Sequence, residues 1–101
     1  MSESSTDNPT GTPHSFTLEV ANKMGVHARP AAMIVRIASK FREDVWVTKE
    51  GGDRVNAKSI MGIMMLAAAK GSQLIFECSA TEGAELEKEM TELFSSKFQD
   101  E

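Results

Sequence analysis

Apolar and polar positions change their spacing repeatedly along this chain, and each change marks an element. Met1 to His14, MSESSTDNPTGTPH, carries Ser, Thr, Pro and Gly with no apolar period. That composition predicts a disordered tail over residues 1–14. Phe16, Leu18 and Val20 then alternate with Thr17, Glu19 and Ala21, which predicts a half-buried strand. Asn22 to Val26 reads as a loop around Gly25. From Ala28 the spacing becomes helical. Ala31, Ile34, Val35, Ala38 and Phe41 form one stripe and Arg36, Lys40 and Arg42 lie off it, so a helix is expected from about Ala28 to Phe41. Pro30 suits its first turn, where N–H groups have no intrahelical partner.

Val45 to Thr48 and Arg54 to Ala57 read as two strands joined through Glu50-Gly51-Gly52-Asp53, a hairpin signal. Ser59 precedes an apolar run, Ile60 to Ala69, interrupted by Gly62. The expectation is one or two helical turns with Ser59 as N-cap, closed by Gly71. Leu74, Phe76 and Cys78 alternate with Ile75 and Glu77 as a fourth strand. Leu86, Met90, Leu93 and Phe94 then repeat at i, i+4, i+7 and i+8, the pattern of an amphipathic helix. The order is βαββαβα. It predicts an α+β fold, a four-stranded antiparallel sheet with three helices on one face. A fold of this kind does not by itself specify chemistry.

With 101 residues, the chain has room for one domain, expected over residues 15–101. A single cysteine, Cys78, excludes an internal disulfide framework, and with only two histidines the sequence offers no metal site. Cys78 shares the inward phase of Leu74 and Phe76, which predicts a buried thiol rather than a nucleophile. His14 lies in the tail segment and is given no role. No stretch approaches the ~18 unbroken apolar residues of a membrane span, and no secretory signal is visible at the N-terminus. A cytoplasmic domain without membrane insertion is the expectation. The net charge of −4 argues against nucleic acid as a partner. The charge is also unevenly spread. Lys23, Arg29, Arg36, Lys40 and Arg42 fall between Ala21 and Arg42 with no acid among them, while seven acids and two lysines fall between Glu82 and Glu101. Two solvated helix faces would account for this, and so would an electropositive end that steers toward acidic partners or phosphate.

The candidate chemistry begins at His27, immediately before the first helix, in Met24-Gly25-Val26-His27-Ala28-Arg29-Pro30-Ala31. A helix N-terminus carries about half a positive charge and points unpaired N–H groups outward. It disfavours a cationic imidazolium, as does Arg29, and so favours a neutral, nucleophilic ring. A phosphoryl group on that ring would meet the N–H groups of Ala28 and Arg29 and the Arg29 guanidinium. Each dipole contribution is worth only ~0.3–1 kcal/mol at an exposed site, a scale that permits release as well as capture. The alternative is a histidine that merely caps the helix. Ser59 poses a similar choice between an ordinary N-cap and a modification site. A phosphate there would bring ~1.5–2 negative charges to a helix N-terminus, changing partner preference more than shape. Ile60, Met61, Ile63, Met64, Met65 and Leu66 are too many apolar residues for one face of a short helix to bury. Ile60, Met61 and Met64 are expected to form an exposed partner-binding patch, against the alternative that all belong to the core.

The string Gly25-Val26-His27-Ala28-Arg29-Pro30-Ala31 closely resembles the active-site segment of the HPr family, the histidine-containing phosphocarriers of the bacterial phosphoenolpyruvate-dependent sugar phosphotransferase system. Lys58-Ser59-Ile60-Met61-Gly62-Ile63-Met64 resembles the regulatory-serine segment of those members that HPr kinase/phosphorylase modifies. The resemblance covers about Phe16 to Phe98. It implies an open-faced β-sandwich and phosphoryl transfer from enzyme I to Nδ1 of His27. It further implies onward transfer to the A component of an enzyme II permease, regulatory phosphorylation at Ser59 and no cofactor. The chain would act as a monomeric carrier rather than as an independent enzyme. The tail before Phe16 is longer than the family usually shows, the Glu50–Asp53 hairpin is slightly enlarged, and Met65 stands where a polar residue is common.

Two other functions compete. A regulatory relay would share fold and phosphorylation but end on a transcriptional regulator, a kinase or nitrogen control instead of a permease. A small RNA-binding domain shares the element order, but the acidic charge and the lack of paired strand aromatics oppose it.

Overall fold

Alternating side chains put one face of each strand toward the helices. The computed structural model describes residues 13–100, with only the backbone at Asp100. Its elements run β1 (His14–Glu19), α1 (Ala28–Ala38), β2 (Trp46–Lys49), β3 (Arg54–Asn56), α2 (Ile60–Met65), β4 (Gln73–Cys78) and α3 (Gly83–Ser95). The strands form one antiparallel sheet in the order β1-β4-β2-β3. The pairing sets Phe16 opposite Phe76, and Phe76 opposite Val47, on the covered face. This is the α+β open-faced sandwich expected from the sequence.

Phenylalanines tie the layers together. Phe16 stacks on Phe76 with centroids 5.2 Å apart, Phe76 meets Phe94 edge-on at 5.9 Å, and Phe94 meets Phe98 at 4.8 Å. Such pairs contribute about 0.5–1.5 kcal/mol each beyond their area burial. Leu86, Met90, Leu93 and Phe94 of α3 are all buried, as their spacing predicts, and so is Cys78. Burial, and after it the carboxylates of Glu82 and Glu87, push the Cys78 thiol above its ordinary range. This fits an inert core thiol.

Besides shifts of one residue at strand ends, the structure departs from the sequence reading in three places. The tail expected over residues 1–14 falls largely outside the described residues. At its end, His14 is the first residue of β1 and has partners. Its Nε2 lies 2.7 Å from Glu87 Oε1, and its ring sits against Gly83, where a Cβ would come within 2.2 Å. The first helix stops at Ala38 rather than Phe41. The N–H groups of Lys40 and Phe41 tighten onto Ile37 and Ala38, and those of Arg42 and Glu43 turn to the Glu82 carboxylate. After α3, Lys97, Phe98 and Gln99 adopt positive φ of 53°, 54° and 59°, a left-handed turn within Lys97–Asp100 that buries Phe98 completely.

Candidate functional site

The loop before α1 is built backwards from a close approach. Val26 N–H donates to the Ala68 carbonyl at 2.8 Å, and a Cβ on Gly25 would stand 2.7 Å from that same oxygen. Only glycine fits there, and its φ of +75° adds a second reason. The turn delivers His27 as the N-cap of α1, with extended backbone (φ −94°, ψ −162°). The His27 carbonyl accepts the first helical bond, from Ala31 N–H at 2.9 Å. Its side chain makes no capping hydrogen bond. His27 is half-buried, Ala28 and Arg29 are exposed, and Pro30 is buried beneath them.

Ser59 differs. It is the N-cap of α2, and its Oγ accepts from Gly62 N–H at 3.0 Å. Lys58 beside it donates through Nζ to the Phe41 carbonyl at 2.6 Å, tying the start of α2 to the segment after α1. Helices α1 and α2 pack against each other. The six residues of α2 divide as their number demands: Ile63 is fully buried, whereas Ile60 is 46% exposed, Met61 71% and Met64 39%. Two further methionines, Met65 and Met24, are 75% and 70% exposed. Met24 had no apolar period to single it out. Its place next to Gly25, which packs on Ala68 and Ala69 just beyond α2, is visible only in three dimensions.

The expected electropositive end is smaller than the sequence suggests. Lys40 pairs with Glu89 of α3, so the acidic helix neutralises part of the basic stretch, while Lys23, Arg29 and Arg36 remain exposed. A hollow of about 300 Å³ lies on the uncovered sheet face, lined in part by Trp46, Arg54 and Glu77 and not by His27. Arg54 stacks on Trp46 there, 4.1 Å from the ring centroid. Among the described residues no group of His, Cys, Asp and Glu could hold a metal, and no helix is long and apolar enough to cross a membrane.

A family model described as the PTS HPr component phosphorylation site matches residues 14–96, which puts this sheet and its histidine-headed helix in the phosphocarrier class of the phosphotransferase system. The chain belongs to the HPr family. The phosphocarrier protein HPr of Neisseria meningitidis is 45% identical over 82 residues, covering 81% of this chain and 91% of that protein. The HPr-like protein Crh of Halalkalibacterium halodurans is 41% identical over 78 residues, covering 77% and 88%. The crystal structure of HPr-C-His from Thermoanaerobacter tengcongensis superposes with a TM-score of 0.78 at 44% identity, covering 86% of this chain and 97% of that one.

Proposed function

We propose that this chain carries a phosphoryl group on His27 between phospho-enzyme I and the A component of an enzyme II sugar permease, as a cytoplasmic monomer. The observation that carries this reading is the half-exposed imidazole at the head of α1, followed by the exposed Ala28 and Arg29. In the transfer, the Nδ1 lone pair attacks phosphorus. A P–N bond forms as the donor's bond to phosphorus breaks, and Nε2 keeps its proton. The N–H of Ala28, the helix dipole and the Arg29 guanidinium then face the new dianion. Their modest strength suits a group that must leave again.

Ile60, Met61 and Met64 form the docking patch, a surface of flexible apolar side chains on α2, which packs against the helix that His27 heads. Ser59 is the regulatory site for HPr kinase/phosphorylase. Its Oγ already faces a helix N–H, so a phosphate is accommodated without refolding and acts by repelling an acidic partner surface.

The likeness to Crh as well as to HPr favours a second reading, a regulatory relay ending on a transcriptional regulator. One experiment separates the two. The chain is charged with phosphoenolpyruvate and enzyme I, then offered permease A components and sugar. Discharge with sugar phosphorylation supports the carrier, and charging without onward transfer to any A component supports the relay. Failure to be charged sinks both.

A further inference from the structure

Among the described residues, Asn22 is the buried polar side chain of this fold, 1% exposed in a core otherwise apolar. Its Nδ2 donates to the Gly25 carbonyl at 2.7 Å, while its Oδ1 is buried without a hydrogen-bond partner. An unpaired buried amide oxygen opposes folding, so stability alone does not account for an asparagine here. The Gly25 carbonyl that it holds is also the acceptor for the backbone N–H of His27, at 3.1 Å. Gly25 N–H in turn donates to the Asn22 backbone carbonyl at 3.2 Å, closing the turn on itself.

We infer that Asn22 is a positioning residue for His27. Its amide fixes the plane of the Gly25–Val26 peptide, and that plane sets where the His27 backbone enters α1 and where the imidazole stands. The opposite side of the turn is wedged by Ala68, whose carbonyl leaves no room for a Cβ on Gly25 and binds Val26 N–H. The Asn22 amide and the Ala68 carbonyl therefore hold the three residues before α1 from two sides. This inference rests on the reading of His27 as phosphoryl acceptor.

Asn22→Asp is the informative variant. Ionised, it replaces the donor with a carboxylate that repels the Gly25 carbonyl; protonated, its O–H can donate there again. Phosphorylation by phospho-enzyme I is followed for the full chain at several pH values, each rate taken relative to wild type at the same pH. Near neutral pH, kcat is expected to fall by about tenfold or more, the scale of a misplaced reacting group, with KM unchanged because the docking patch is untouched. The relative rate climbs as acid protonates the new carboxyl, whereas Asn22→Ala is slow at every pH. Val47→Ala, a core truncation in β2, provides a variant of reduced stability and keeps the wild-type rate. All are assayed where circular dichroism shows them folded. His27→Ala runs in parallel. If it still takes the label, the acceptor reading itself fails. If it does not, and Asn22→Asp matches wild type throughout, only the Asn22 inference is overturned. It is also overturned if both Asn22 variants fail to fold, since Asn22 would then act in folding rather than positioning.

Discussion

His27 and Ser59 are both N-caps, and they differ in what the side chain does for the helix. The Ser59 hydroxyl is used by its helix, through Gly62 N–H; the His27 side chain caps nothing. Removing each should therefore have opposite consequences. Ser59→Ala should cost about 0.5–2 kcal/mol of stability, the usual loss for an N-cap, read as a lowered denaturant midpoint. Ser59→Asp retains an acceptor at the helix start, so stability should hold while charging by phospho-enzyme I slows. An undiminished charging rate would leave Ser59 as a cap alone. His27→Ala should abolish acid-labile phosphorylation while circular dichroism shows the fold surviving. Both positions were legible in the sequence because capping is local: a polar residue precedes an apolar period. Asn22 was read only as loop, because nothing local distinguishes a buried amide from a solvated one. Its partner is three residues away, but its burial comes from the packing around it.

Element starts and stops were legible where a local signal set them. Ser59 opens α2, and Gly51, at φ +82°, turns the β2–β3 hairpin. They were illegible where a distant group decided. The first helix carries its apolar stripe to Phe41, yet ends at Ala38 because Glu82, about forty residues on, takes the N–H groups of Arg42 and Glu43. The same bonds, from Glu43 and then Arg42, hold the Glu82 carboxyl below the usual carboxylate range. A depressed folded-state value means the carboxylate adds stability above the ordinary glutamate range. That contribution is lost as pH falls through the depressed value. Glu82→Gln should thus lower the melting temperature near neutral pH and flatten its fall in acid. Parallel wild-type and variant curves of melting temperature against pH would contradict the role given to Glu82. At the start of β1, His14 was assigned to the tail because its partner Glu87 lies seventy-three residues away and its seat depends on Gly83 having no side chain.

In the molecule as a whole, the core and the candidate site occupy different parts of the fold. The phenylalanine contacts from Phe16 to Phe98 join sheet, α3 and the terminal turn. Phe98 is fully buried in a left-handed turn that no periodicity announces. Phe98→Ala should cost about 3–5 kcal/mol, measured by chemical denaturation, and a loss under 1 kcal/mol would mean that the turn contributes little. His27 and Ser59 lie outside that core, at the heads of α1 and α2, which is why the strings around them stand apart from the apolar pattern that sets the fold. Covalent capture of a phosphoryl group by one imidazole is the central claim, and phosphopeptide mapping after incubation with phosphoenolpyruvate and enzyme I tests it most directly. The account predicts an acid-labile phosphate confined to the peptide containing His27; a phosphate on any other peptide, or none at all, would contradict it.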